Sequence, residues 1–134
     1  MLDDRDNRIK TEYDLWDENM HTEPTFSVLL LKIISEKGIS GKEFYKKARL
    51  GRKLFSTINN NVSYMPSKET AIMCCLGLEL NMEETEELLK SAGYSLSLSI
   101  GWDRVIWFCI DNGIYDFDTV NCLLFRKKEK ILRY

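Results

Sequence analysis

The sequence predicts an all-α fold, and three observations carry that reading. Apolar residues recur with a helical period from Phe26 onward, helix-start and helix-stop residues punctuate the period, and the alternating stretch Tyr94 to Ser99 has no second strand to pair with. A chain of 134 residues, 44% hydrophobic and 30% charged, can bury one core but is too short for two full domains. The expected organisation is an acidic N-terminal arm (1–24), a helical core (25–93), and a C-terminal helical extension (94–134). The extension packs on the core and ends in a basic tail.

In the arm, eight acids stand against three bases, a local balance of −5, and Tyr13, Trp16 and Met20 show no sustained apolar period. Such a segment reads as a mobile or locally helical tail whose aromatics pack on the domain. A sharper expectation lays this acidic segment across the basic unit that follows. Thr25 then caps a helix with Phe26, Leu29, Leu30, Ile33 and Ile34 on one face. Gly38 ends it, since glycine enters the left-handed conformation without the cost of about 1 kcal/mol or more that other residues bear.

Ser40 to Asn60 is the stretch around which the rest is arranged. Ser40 followed by Glu43 predicts a capping box. Phe44, Tyr45 and Ala48 give a first short helix one apolar stripe, and Leu54, Phe55 and Ile58 repeat the pattern in a second helix after a tight turn. The polar side is basic and rich in amides and hydroxyls. Between Lys37 and Lys53 seven bases face only Glu43, a local balance of +6, although the whole chain carries −2. Clustered cations attract phosphates through counterion release, so the distribution rather than the total bears on the partner. A solvated helical face is the plain alternative.

The order of a helix ending in Glu36-Lys37-Gly38, then Ile39-Ser40, a two-helix unit, Pro66-Ser67 and a leucine-rich helix resembles the lambda-repressor-like (Cro-like, XRE-type) helix-turn-helix family over Thr25 to Leu89. The resemblance implies a five-helix bundle with an added C-terminal pair, from bacteria or phage, whose helix 51–60 enters the major groove of double-stranded DNA. Carried over by position, Arg52, Lys53, Ser56, Thr57 and Asn60 face base edges, with Asn61 and Tyr64 extending that surface. Lys42, Lys46, Lys47 and Arg49 meet phosphates. Two positions depart from the family: Tyr45 stands where a small residue is usual, and Arg49 where glycine is. The longer span from Phe26 to Phe125 is also similar to a bacterial helical module found C-terminal to enzymes such as macrodomains. The alternative function is a protein-protein interaction module in which the same basic face meets an acidic partner.

Beyond the unit, Ser67 caps a helix over Lys68 to Leu80, and Asn81 caps one that ends at Gly93. Glu83, Glu84, Glu86 and Glu87 near that start complement the helix dipole rather than form an acid/base pair. Tyr94 to Ser99 reads as an extended connector. Gly101 onward gives a helix with Trp102, Val105, Ile106, Cys109 and Ile110, stopped by Gly113, and Asp116 or Asp118 caps a last helix with Val120, Leu123 and Leu124. This pair either completes the monomer core or supplies a homodimer surface over 101–125. The basic stretch Arg126 to Arg133 adds phosphate contacts or frays.

Catalysis is not expected. The single histidine, His21, lies in the arm, there is no G-x-S-x-G or phosphate-loop glycine pattern, and no cysteine has a recognisable base. Cys74, Cys75, Cys109 and Cys122 lack metal or disulfide spacing and read as buried thiols, so neither metal nor cofactor is expected. The first ten residues hold no apolar signal region, and the apolar run near Ile100 is broken by Asp103 and Arg104, which points to the cytoplasm and away from a membrane.

Overall fold

The computed structural model describes residues 3–133, and among them the chain forms eight helices and no strand. These are α1 (Asp4–Met20), α2 (Phe26–Glu36), α3 (Gly41–Lys47), α4 (Arg52–Asn60), α5 (Lys68–Gly77), α6 (Met82–Ser91), α7 (Gly101–Asp111) and α8 (Phe117–Arg126). No helix among the described residues is long and apolar enough to cross a membrane.

The helix starts follow from side chains that accept the backbone N–H three residues on. Thr25, Ser40, Ser67 and Asn81 do this for α2, α3, α5 and α6. The reciprocal capping box forms at Asn81 and Glu84, with bonds of 3.1 and 2.8 Å. At Ser40 only the hydroxyl half forms, to Glu43 N–H at 3.1 Å. Asp116 rather than Asp118 caps α8, accepting from both the N–H (2.8 Å) and the hydroxyl (2.6 Å) of Thr119. Those bonds favour the ionised form and hold the Asp116 carboxyl below the usual carboxylate range.

Helices α3, α5, α6, α7 and α8 end in one shared backbone device. After α3, Leu50 N–H reaches Tyr45 C=O and Arg49 N–H reaches Lys46 C=O; after α5, Leu80 and Glu79 do the same to Cys75 and Leu76. This paired closure demands a left-handed residue. Gly38, Gly93 and Gly113 supply it after α2, α6 and α7, whereas Arg49 (φ +55°), Glu79 (φ +53°) and Lys128 (φ +61°) supply it without glycine. Helix α5 accordingly ends at Gly77, three residues before the Leu80 expected from periodicity.

The core is built from α2, α3, α5 and α6, with Phe26, Leu30, Phe44, Ile72, Leu76 and Leu89 fully buried. Each such side chain contributes about 1.5–3 kcal/mol relative to exposure. Helix α3 lies directly on α5. A Cβ at Gly77 would sit 2.6 Å from Ala48 Cα, so neither chain has room for another atom there. Helices α7 and α8 extend the core with Ile106, Val120 and Leu124.

One buried ion pair joins the two parts. Asp103, 1% exposed in the first turn of α7, takes Lys68 Nζ on both oxygens at 2.8 and 2.9 Å and also accepts Ser97 N–H at 2.8 Å. This ties the start of α5, the 94–99 connector and α7 to a single carboxylate. The connector has neither helix nor strand from Tyr94 to Ser97 and then turns at Leu98–Ser99, where Ile100 N–H reaches Ser97 C=O at 3.1 Å.

Three expectations need correction. The arm is helical over Asp4–Met20, in keeping with a locally helical tail, but its Tyr13 and Trp16 are exposed rather than packed on the domain, and no α1 residue is buried. The hydrogen bonds and ion pair given for α1 among the described residues stay within the arm. The C-terminal tail is neither frayed nor free: Asn121 bonds both the N–H (2.7 Å) and the C=O (3.1 Å) of buried Leu132, Trp102 Nε1 donates to Lys130 C=O, and Glu69 accepts Arg133 N–H. Lastly, Cys74, Cys75 and Cys109 are buried thiols but Cys122 is exposed. Burial pushes the Cys75 thiol up to about 12 and Cys74 upward as well, so both stay protonated at neutral pH.

Two substitutions test this packing. Gly77→Val forces α3 off α5 and is expected to lower stability by about 2–4 kcal/mol in urea unfolding. Asp103→Ala strands the Lys68 ammonium and an N–H, and a loss of about 2–4 kcal/mol is expected in the same assay.

Candidate nucleic-acid interface

The geometry of α4 follows from what its apolar face touches. At about 100° per residue, Leu54, Phe55 and Ile58 occupy one side of the helix, and Arg52, Lys53, Ser56, Thr57 and Asn60 occupy the opposite side. Ile58 is fully buried; all five polar residues are exposed. Phe55 packs its ring 5.6 Å from Phe44 and 5.8 Å from Tyr45, and closes over Gly41, where a Cβ would meet the ring at 2.7 Å. Tyr45 thus takes part in the contact between the two helices instead of occupying the α3–α5 contact, where Ala48 sits.

On the outward side the polar groups are organised along the helix. Thr57 Oγ1 donates to Lys53 C=O at 3.1 Å, and Asn60 Nδ2 donates to Ser56 Oγ at 3.3 Å. The amide of Asn60 keeps its carbonyl and one N–H open to solvent. No acid stands on this face of α4, and Gly51, its N-cap, contributes no side-chain bond. The first turn of α4, which carries Arg52 and Lys53, thus has no side-chain cap and no acid at a helix N-terminus, where an anion is favoured.

The four cations assigned to phosphate divide into two pairs. Lys42 and Lys46 are exposed on α3. Lys47 is drawn to Glu79 at 3.4 Å, an exposed pair worth no more than about 1 kcal/mol and open to competition. Arg49 is turned inward onto α8, with its guanidinium 4.9 Å above the Phe117 ring and 3.5 Å from Asp118. Its side chain is 28% exposed, so the fold engages Arg49 more closely than it does Lys47. Asn61 is exposed and accepts Ser63 N–H at 3.0 Å, whereas Tyr64 is half-buried and packs against the core, its hydroxyl pKa raised by that burial.

Sequence reasoning missed the acids that answer Lys47 and Arg49, because Glu79 and Asp118 are distant in the chain. No group of three or more histidine, cysteine or acidic residues placed to hold a metal occurs among the described residues. Known protein-family models, curated proteins and solved structures yield no match to this chain.

Glu79 offers a direct test of the site's architecture. Glu79→Gly relieves the left-handed backbone and releases Lys47, so a stability gain of about 0.5 kcal/mol is expected in thermal unfolding despite the lost ion pair.

Proposed function

We propose that this protein is a DNA-binding regulator of the lambda-repressor-like helix-turn-helix type. In this reading α2–α6 form the reading head and α4 reads the major groove. The single observation that carries it is the composition of one exposed helix face. Arg52, Lys53, Ser56, Thr57 and Asn60 share that face, with no acid among them and an anion-favouring helix N-terminus beside them. Arg is suited to guanine and Asn to adenine, each worth about 1–3 kcal/mol of discrimination. Lys42 and Lys46 supply phosphate contacts, Lys47 joins them when its surface pair with Glu79 opens, and Arg49 stays a structural residue of the turn. Such a regulator acts in the cytoplasm of a bacterial or phage-infected cell.

The interaction-module reading draws on a different observation. Val62 and Met65, in the loop that follows α4, are 63% and 62% exposed, an apolar surface suited to a protein partner.

Fluorescence anisotropy on mixed-sequence duplex DNA, titrated against salt, separates the two. Affinity is expected to fall with a log–log slope of about −0.9 for each phosphate neutralised. Arg52→Ala/Lys53→Ala should flatten that slope by about 2 and weaken binding at least tenfold at low salt. Binding that ignores both salt and the double substitution would sink the DNA reading.

A further inference from the structure

Helix α1 carries an apolar face that its own chain leaves uncovered. Ile9, Tyr13, Trp16 and Met20 recur at i, i+4, i+7 and i+11, which places them within an arc of about 60°. All four are between 48% and 56% exposed, and the Tyr13 and Trp16 rings lie 6.0 Å apart along the stripe. A helix of 17 residues with nothing buried has no packing to stabilise it, and helices near that length are marginal alone in water. Its charge is also one-sided. Residues 4–10 hold two acids and three bases, whereas Glu12, Asp14, Asp17 and Glu18 follow with no base among them.

A surface of matching chemistry lies on the C-terminal pair. Between α7 and α8 a groove of about 490 Å³ has Val105, Phe108 and Leu123 along it and Gly101 at one end. Phe108 is 53% exposed. Arg104, which donates one N–H to Leu98 C=O at 2.9 Å, and Lys127 also line it, with Glu129 as the one lining acid, and Arg126 and Lys128 are exposed next to Lys127. The groove is apolar within and predominantly cationic at its edge; the Glu12–Glu18 half of α1 is aromatic within and anionic at its edge.

We propose that α1 of one molecule docks into the α7–α8 groove of a second copy. Tyr13 and Trp16 enter against Phe108, and the acids from Glu12 to Glu18 lie toward Arg104 and Lys127. Reciprocal exchange closes a two-fold dimer, in which every α1 and every groove is occupied. The groove is open to a second copy because the molecule's own α1 does not fill it: no α1 residue is buried, and Tyr13, Trp16 and Phe108 are each more than half exposed. This assembly is independent of whether α4 reads DNA.

Sedimentation velocity on the full chain at about tenfold steps in concentration and in salt provides the test. Wild type is expected to be a dimer that weakens as salt rises, and Trp16→Asp and Phe108→Asp are each expected to be monomeric, with a loss of helical circular dichroism no larger than the share of α1. An equimolar mixture of those two variants should dimerise again, at least tenfold more weakly than wild type. In that mixture one intact α1 still meets one intact groove. Should Phe108→Asp fail to fold, Lys127→Glu replaces it and should weaken the wild-type dimer at least threefold. A monomeric wild type overturns the proposal. So does a Trp16→Asp chain that stays dimeric, because the grooves then meet each other. A Phe108→Asp chain that stays dimeric does the same, because α1 then meets α1.

Discussion

The contact between Ala48 and Gly77 is the constraint on which the rest of the molecule depends. With only a methyl on α3 and no side chain on α5, the two backbones approach until a further carbon would overlap. That approach sets where α3 lies. Because the turn after α3 is closed by two backbone bonds through Arg49, it also sets where α4 begins. Phe55 against Phe44 and Tyr45 then fixes which way α4 rolls, and a helix with one buried side must present the other. The outward display of Arg52, Lys53, Ser56, Thr57 and Asn60 is the end of that chain of contacts.

Charge is sorted along the same lines. Two of the cations nearest the turn are held by the molecule itself, Lys47 loosely by Glu79 and Arg49 more closely by Phe117 and Asp118. The cations left open are Lys42 and Lys46 on α3 and Arg52 and Lys53 at the start of α4. The Arg49 contact has a second consequence. It links the turn of the basic unit to the first residues of α8, while Lys68 and Asp103 link α5 to α7, so the C-terminal pair grips the core at two separate points. A carboxylate as buried as Asp103 is tolerated only because an ammonium and a backbone N–H together replace its water.

Much of the fold was legible because its signals are local. Thr25, Ser40, Ser67 and Asn81 announce helix starts through their own side chains, and Gly38, Gly93 and Gly113 announce ends through their freedom at positive φ. The end of α5 was not legible. Glu79 takes the left-handed position under the pull of two backbone bonds, and nothing in its side chain advertises that. The apolar spacing of Ile9, Tyr13, Trp16 and Met20 was present in the arm but was masked by the acids interleaved with it.

By itself the sequence determined the helical class, the places where most helices begin, and which face of α4 is polar, since periodicity and capping act within a few residues. Only the tertiary structure decided that Arg49 turns toward α8, that Glu79 answers Lys47, and that Leu132 folds back under Asn121. The same holds for α1, which buries none of its side chains. These are contacts between groups from 11 to 69 positions apart, or their absence, and no local rule encodes which distant side chain closes such a pair.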